Sequence, residues 1–146
     1  MKKLFLDTNL FLRFFLKDHE NQYQNVYNLF AKIEEGKFKP YTSSIVFLEL
    51  NYVVRNIYKL SIAEILDYID AVKKMRGMTI IEKTDVDRAI NLYRKYKIKF
   101  GDCFIAAQIP KGAMLASYDE DFKKIKEIQI QTPEELLQEV PSNNGK

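Results

Sequence analysis

Short apolar runs alternate with longer segments of helical periodicity along this chain, and that alternation limits its fold more than any other feature. Apolar runs that favour strands lie at residues 3–6, 39–42, 78–82, 113–118 and 128–130. Apolar residues at helical spacing predict helices at residues 21–35, 45–58, 62–76, 85–96, 103–109 and from 133 onward. Strands that alternate with helices pair in parallel beneath two helical layers. The sequence therefore predicts an α/β fold, a three-layer α/β/α sandwich with a mostly parallel central sheet.

The size and composition of the chain fit one compact domain. Its 146 residues, 47% of them hydrophobic and 29% charged, are enough to bury a core without a disulfide. The single cysteine, Cys103, and the single histidine, His19, exclude an internal disulfide and a zinc site built from cysteine and histidine. We expect one domain over residues 1–138 and a flexible C-terminal tail over residues 139–146.

The distribution of apolar residues gives no sign of a membrane segment. No run approaches the roughly 18 apolar residues of a membrane span, and Asp7 interrupts the N-terminal apolar segment before it is long enough for a signal peptide. We expect a soluble, cytoplasmic protein. The net charge of +3 permits a polyanionic partner without requiring one.

Four acidic residues occupy related places in the strand–helix alternation. Asp7 and Asp119 each follow a predicted strand, whereas Asp102 stands at the start of a predicted helix. Glu49 lies in the second turn of the helix that leaves the second strand. The C-terminal ends of parallel strands lie along one edge of the sheet, where ligand sites of open α/β sheets form. We expect the four acids to converge at that edge.

Such a cluster of carboxylates predicts a metal site. Neighbouring carboxylates repel one another unless a cation or a proton compensates their charge. Oxygen ligands without cysteine or histidine suit Mg²⁺ or Mn²⁺, and these ions bind phosphates and activate water.

Each acid also has a structural interpretation. Asp7 and Asp102 could cap helices, and Asp119 could lie in a solvated loop. Glu49 interrupts an apolar helical run and could form an ion pair with Arg55 or a lysine. Taken together, the four acids favour a metal site over four separate structural roles.

The segments around these acids resemble the PIN domain family in order and spacing over roughly residues 1–138. The segments are Leu6-Asp7-Thr8-Asn9, Phe47-Leu48-Glu49-Leu50, Asp102-Cys103-Phe104-Ile105-Ala106-Ala107 and Ser117-Tyr118-Asp119-Glu120-Asp121-Phe122. Cys103 departs from the alanine that the family more often has after this acid. Because cysteine is small and usually buried, we expect little effect.

This resemblance implies a metal-dependent ribonuclease that hydrolyses RNA phosphodiester bonds with Mg²⁺ or Mn²⁺. It implies that the metal-binding acids are Asp7, Glu49, Asp102 and Asp119, that Asp121 adds a further metal contact, and that Asn9 and Ser117 support the site by hydrogen bonding. The compact chain also resembles the toxins of VapC-type toxin–antitoxin pairs. That likeness implies a homodimer and a small antitoxin partner.

Several basic residues are candidates for contact with RNA. Arg13 and Lys17 follow the Asp7 segment and are expected to flank the metal. A second basic run contains Arg94, Lys95, Lys97 and Lys99. Such a run could contact phosphates, although it is more often a solvated helix face.

Two other functions compete with the nuclease. A phosphatase site of the haloacid dehalogenase type also begins with a strand-end aspartate, but it needs Asp-x-Asp, and Asn9 stands at the second position. A non-catalytic PIN-like module that binds RNA or protein usually lacks one or more of the acids, and here all four are present.

Overall fold

The computed structural model describes residues 1–140 and contains a five-stranded sheet with helices on both sides. The strands β1 to β5 span Lys2–Leu6, Phe38–Ser43, Thr79–Ile81, Met114–Ala116 and Ile130–Gln131. The helices α1 to α7 span Thr8–Leu16, Glu20–Glu34, Ser44–Asn56, Ile62–Lys73, Val86–Tyr96, Phe100–Gln108 and Pro133–Gln138. A 3₁₀ helix covers Glu120–Lys124.

All neighbouring strands are parallel, and their order is β3-β2-β1-β4-β5. The chain therefore builds one half of the sheet outward from β1 to β3, and then crosses back to build β4 and β5 on the other side of β1. This reversal places a topological switch point between β1 and β4, where a crevice opens beyond the strand ends. The predicted α/β/α sandwich with a parallel sheet is confirmed.

The core lies on both faces of the central strand. Leu4, Phe5 and Leu6 are consecutive and fully buried, as expected for a strand that helices cover on both sides. Leu115 and Ala116 continue this buried layer into β4. The C-terminal ends of β1 and β4 are therefore held in a closely packed part of the molecule.

The sequence interpretation missed α1, because it treated the segment after Asp7 as a loop. In the structure Asp7 is the N-cap of α1, with its Oδ1 accepting a hydrogen bond from the Thr8 backbone N–H at 2.8 Å. The nearly continuous apolar run over residues 10–16 hides the helical period, because both faces of this short helix contact other parts of the protein. Leu10 and Phe11, for example, are fully buried although they are adjacent.

Other element boundaries differ from the prediction by a few residues. The helix that contains Asp102 begins at Phe100, three residues before the predicted start, because Gly101 tolerates a helical position. Helix α4 ends at Lys73 rather than at residue 76, and β5 begins at Ile130 rather than at residue 128. Within the part of the chain that the structure describes, no helix is long and apolar enough to cross a membrane.

The predicted domain limits stay a prediction. The last described helix ends at Gln138, where the single domain was predicted to end. Most of the predicted C-terminal tail, residues 141–146, lies outside the described residues.

Candidate active site

The C-terminal ends of β1 and β4 meet at the switch point and bring Asp7 beside Ser117. The backbone N–H of Asp7 donates to the carbonyl oxygen of Ala116 at 3.1 Å, which extends the pairing of the two strands by one residue. Ser117 follows Ala116 directly and is buried, as is Asp7. Pairing of the central strands therefore fixes the positions of both side chains.

All four predicted acids line one cavity of about 580 Å³ at this edge of the sheet, together with Asn9 and Lys99. Asp7 enters it from the end of β1, Glu49 from α3, Asp102 from the first turn of α6, and Asp119 from the loop after β4. The structure thus brings together acids that are separated by up to 112 positions in the sequence. Their catalytic and metal-binding roles stay predictions.

Hydrogen bonds hold the Asp7 carboxylate in a single orientation. Its Oδ1 accepts from the backbone of Thr8 as the cap of α1. Its Oδ2 accepts from the Ser117 hydroxyl at 2.6 Å and from the Asn9 side-chain amide at 3.3 Å. The same amide donates to Ser117 Oγ at 3.1 Å, and Asn9 Oδ1 accepts from the backbone N–H of Tyr118 at 3.2 Å. Asn9 and Ser117 therefore lock Asp7 to the loop after β4.

Burial raises the pKa of Asp7 from 3.8 to about 7. The hydrogen bonds from Ser117 and Thr8 oppose this rise, and the negative charges of Glu49 and Asp102 add to it. Burial outweighs the hydrogen bonds because a carboxylate in a low-dielectric interior loses its hydration. Without a cation, Asp7 therefore binds a proton close to neutral pH.

Asp102 is the second buried acid of the site, and its pKa is raised to about 6. Burial is the main cause, followed by repulsion from Asp119 and from Glu49. Lys99 acts in the opposite direction. The Oδ2 atom of Asp102 is buried and has no hydrogen-bond partner, and a buried polar atom of this kind calls for a ligand or a proton.

Glu49 and Asp119 are only half-buried and complete the acidic wall of the cavity. Among the described residues Glu49 forms no ion pair, so the ion pair with Arg55 or a lysine is not found. Asp119 Oδ1 accepts from the backbone N–H of Asp121 at 2.9 Å and begins the 3₁₀ helix. The backbone N–H of Asp119 donates to Ser117 Oγ at 2.9 Å, which connects this loop to Asp7.

The donor set of the cavity fits a hard divalent cation. It offers four carboxylates and no sulfur or imidazole ligand, which is the chemistry that Mg²⁺ and Mn²⁺ prefer. The two raised pKa values and the unpartnered Asp102 oxygen fit a site whose acids a cation would neutralise. In residues 1–140 no three acidic, histidine or cysteine side chains lie close enough to hold one metal ion as they stand. The four acids therefore line one cavity, but as placed they do not surround a single ion.

Four of the predicted site residues lie outside this cavity lining: Ser117, which is buried behind Asp7, and Asp121, Arg13 and Lys17. Asp121 is exposed and pairs with Lys124 at 3.5 Å. Arg13 lies in the last turn of α1 and pairs with Asp18 at 2.5 Å, whereas Lys17 is the C-cap of that helix, at the opposite end from Asp7. The predicted metal contact of Asp121 and the RNA contacts of Arg13 and Lys17 stay predictions.

Sequence reasoning missed two polar members of the cavity wall. Thr8 is buried with its hydroxyl unpartnered, and only its position next to Asp7 could have indicated it. Lys99 was placed in a general basic run, although its spacing of three residues from Asp102 on one helix predicts that the two are neighbours.

The opening of the cavity carries exposed apolar side chains. Leu48, Tyr52 and Ile57 line it and are 67%, 64% and 65% exposed. Sequence patterns do not reveal which apolar residues of a helix remain uncovered after packing.

Other parts of the molecule lack comparable chemistry. A cavity of about 480 Å³ between α1, α2 and α4 is lined mainly by aromatic and aliphatic side chains, with Glu34 as its one acid. His19 is an exposed N-cap of α2, and its Nδ1 accepts from the backbone of Gln22. Cys103 is buried, and burial raises the pKa of its thiol, which disfavours the reactive thiolate.

Comparisons with solved structures find similar folds. VapBC2 from Rickettsia felis, bound to a DNA fragment from its promoter, has 22% sequence identity and a TM-score of 0.66, covering 89% of this chain and 98% of that chain. A toxin–antitoxin complex from Klebsiella pneumoniae has 19% identity and a TM-score of 0.59, covering 89% and 97%. PAE2754 from Pyrobaculum aerophilum has 14% identity and a TM-score of 0.64, covering 94% and 88%.

A comparison with curated protein sequences finds no significant match. A model of the PIN domain matches residues 4–128, which include the four acids, most of β1 and all of β4. This match covers well over half of the chain. The chain belongs to the PIN domain family.

Proposed function

We propose that this protein is an endoribonuclease that requires Mg²⁺ or Mn²⁺ and hydrolyses RNA phosphodiester bonds. The observation that carries the proposal is the cavity in which Asp7, Glu49, Asp102 and Asp119 meet at the switch point of a parallel sheet. Membership of the PIN domain family supports it as well.

The four acids would hold the metal, and the bound ion would supply a Lewis acid for the phosphate and lower the pKa of a coordinated water. The chain's own residues prepare the site for this chemistry. Ser117 and Asn9 donate hydrogen bonds to Asp7 Oδ2 and keep the carboxylate oriented in the cavity. Lys99 lines the cavity and is exposed, so its ammonium group is available to a phosphate oxygen.

In the proposed reaction a water molecule attacks the phosphorus atom, and the bond to the leaving ribose oxygen breaks. No histidine lines the cavity to remove the proton from that water. Carboxylates are the only bases there, and they serve in that role only when they are deprotonated. Protons compete with the metal for the Asp7 and Asp102 carboxylates, whose pKa values are raised in the metal-free site, so we expect cleavage at neutral to alkaline pH.

The test of this proposal is cleavage of mixed cellular RNA by the purified protein in Mn²⁺, in Mg²⁺ and in EDTA. We expect cleavage that requires metal and that falls at least a hundredfold in Asp7→Asn, because the carboxylate is then lost at an unchanged size. Asp67→Asn is the matched control, since Asp67 is exposed on α4 and forms no ion pair with another described residue.

Cleavage by Asp7→Asn at the normal rate would contradict the site. No cleavage under any condition, with no metal binding by calorimetry, would favour the alternative, a PIN-like module that binds RNA or protein without catalysis. Metal binding without cleavage would keep the metal site and reject the choice of substrate.

We further propose that the protein is a cytoplasmic toxin and that a small antitoxin inhibits it. Its support is the similarity to the VapBC2 and Klebsiella pneumoniae toxin–antitoxin structures. Expression of the protein should arrest growth of a bacterial host, and Asp7→Asn should not. Arrest by both forms would contradict a toxic nuclease activity.

We also propose that the protein forms a homodimer. The exposed Leu48, Tyr52 and Ile57 form an apolar patch along α3 and its C-cap, at the opening of the cavity, that a second copy would cover. Sedimentation of the purified protein should give twice the mass of one chain, and a monomer at all concentrations would contradict it.

A further inference from the structure

A basic and aromatic surface lies next to the acid cavity, at the junction of α5 and α6. Its residues line a second cavity of about 780 Å³ and include Tyr93, Arg94, Lys97, Lys99 and Phe100. We call it the α5–α6 surface. Lys99 lines both this cavity and the acid cavity, so the two are adjacent.

The short connection between the two helices creates this surface. Lys97 ends α5 in the left-handed conformation, with φ of 58°, and its backbone N–H donates to the Tyr93 carbonyl at 2.8 Å. Ile98 is buried and anchors the turn, and α6 begins two residues later. The turn therefore brings Phe100 against Tyr93.

The aromatic rings of the surface form a ladder that reaches solvent. The Tyr93 and Phe100 rings are 5.7 Å apart with an edge-to-face angle of 82°, and Phe100 packs against Phe104 at 4.9 Å in the same manner. Tyr93 is 41% exposed and Phe100 is 48% exposed. An edge-to-face contact covers at most one face of each ring, and an exposed ring can stack on a nucleobase.

The charges of the surface are positive and uncompensated. Arg94, Lys97 and Lys99 are exposed, and none forms an ion pair with another residue in 1–140. The Nζ of Lys97 lies over the Tyr93 ring, 5.8 Å from its centre, so a cation and an exposed aromatic ring occupy the same part of the surface. No acidic side chain lines this cavity. Interleaved cations and exposed rings match the alternation of phosphates and bases in a nucleic acid strand.

We propose that the α5–α6 surface binds unpaired nucleotides of an RNA strand that continues into the acid cavity. Tyr93 and Phe100 stack on bases, and Arg94 and Lys97 contact the phosphates between them. Lys99 lies where the strand passes to the acids. A duplex does not fit this role, because its bases are already stacked and paired. This inference rests on the proposed nuclease function for the direction of the strand, although the binding itself does not.

A second copy of the protein is the competing occupant of this surface. An isologous contact places the same patch on both partners. The three cations would then need acidic partners that the patch does not contain. Charge complementarity therefore favours a polyanion.

Binding of a fluorescently labelled, unpaired RNA oligonucleotide tests the proposal, with the same sequence as a duplex for comparison. All proteins carry Asp7→Asn, which prevents cleavage, and anisotropy is measured in Mg²⁺. We expect Tyr93→Leu and Phe100→Leu each to raise the Kd for the unpaired strand about tenfold, because each removes a stacking ring but keeps an apolar side chain. Tyr93→Phe keeps the ring and should bind normally.

The salt dependence of binding gives a second measurement, because a loss of folding would not change its slope by the amount expected for one phosphate contact. Lys97→Ala should reduce the slope of log Kd against log salt by about 0.7, the value for one phosphate contact on a single strand. Tyr27→Ala and Lys74→Ala are the matched controls, since both side chains are exposed and lie outside the two cavities of this proposal. Neither control should change the Kd or the slope.

The outcomes separate this inference from the proposed function. Equal binding by the surface variants and the controls overturns the inference, even if the wild-type protein cleaves RNA. Weaker binding by the surface variants supports it, even if the wild-type protein cleaves nothing. A third outcome is also possible: the parent protein is a dimer, and the surface variants are monomers that bind RNA normally. This result would assign the α5–α6 surface to a second copy of the protein and overturn the inference.

Discussion

At the scale of single residues, the Ser117 hydroxyl uses all of its hydrogen-bonding capacity inside the site. It donates to Asp7 and accepts from Asn9 and from the backbone of Asp119. A hydroxyl has one proton and two lone pairs, so nothing remains for a substrate. The Ser117 hydroxyl therefore orients the Asp7 carboxylate and has no free capacity to bind a ligand.

The raised pKa of Asp7 makes the stability of the metal-free protein dependent on pH. The folded protein keeps this proton up to about pH 7, whereas the unfolded chain releases it near pH 3.8. The folded state therefore binds more protons between these values, and the free energy of unfolding falls as the pH rises through this interval. The loss from Asp7 is on the order of 4 kcal/mol when complete.

Urea denaturation in EDTA at pH 5 and pH 8 measures this effect. We expect Asp7→Asn to lose less stability than the wild type between the two pH values, because asparagine does not ionise and still caps α1. Asp67→Asn, on the exposed face of α4, should behave as the wild type. Equal losses in Asp7→Asn and the wild type would show that Asp7 is ionised at pH 5.

At the scale of elements, the sequence predicted the positions of the acids better than the bounds of the helices that carry them. Asp7, Asp102 and Asp119 could be assigned because strand ends and helix starts follow from apolar periodicity. The α1 helix could not, because its apolar residues are buried on more than one side. The position of Lys99 in the cavity depends on α6 starting at Phe100, and a boundary error of three residues concealed it.

Gly36 and Gly101 differ in backbone conformation and in the space that a side chain would have. Gly36 follows α2 with φ of +81°, and a Cβ there would lie 3.1 Å from the Arg76 guanidinium carbon. Arg76 donates to the carbonyl oxygen of Glu34 at 3.0 Å, which joins the end of α2 to the segment before β3. Gly101 lies in the first turn of α6, and no atom would lie within 4 Å of its Cβ.

We expect Gly36→Ala to reduce the free energy of unfolding by about 1–2 kcal/mol, because alanine is strained at this φ and displaces Arg76. We expect Gly101→Ala to increase it by up to about 1 kcal/mol, because alanine favours the helix. Chemical denaturation of both variants beside the wild type provides the measurement. A loss of stability in Gly101→Ala would show that α6 does not begin at Phe100.

At the scale of the whole molecule, binding of the proposed metal would be coupled to folding through the four acids. They come from four separate elements, so the unfolded chain has no equivalent site. A ligand that binds only the folded state stabilises it by about 2.7 kcal/mol at a hundredfold excess over its Kd. For a domain of this size, that corresponds to a rise in Tm of roughly 5–10 °C.

Thermal unfolding with Mn²⁺ or with EDTA at pH 8 and pH 5.5 checks this coupling. The rise in Tm should be larger at pH 8, because protons compete with the cation for Asp7 and Asp102 at the lower pH. Asp102→Asn should reduce the rise at both pH values. The same Tm with and without metal at pH 8 would contradict a metal site in this cavity.

The strand order also determines when the site appears during synthesis. β1 emerges first from the ribosome, but its β4 neighbour, with Ser117 and Asp119 behind it, emerges only after residue 119 has been added. Until then Asp7 lacks the hydroxyl that orients it, and the acidic wall is incomplete. A nascent chain that is still attached to its own message therefore carries an unfinished site for most of translation. Under the proposed nuclease function, this strand order would delay cleavage until the message has been read.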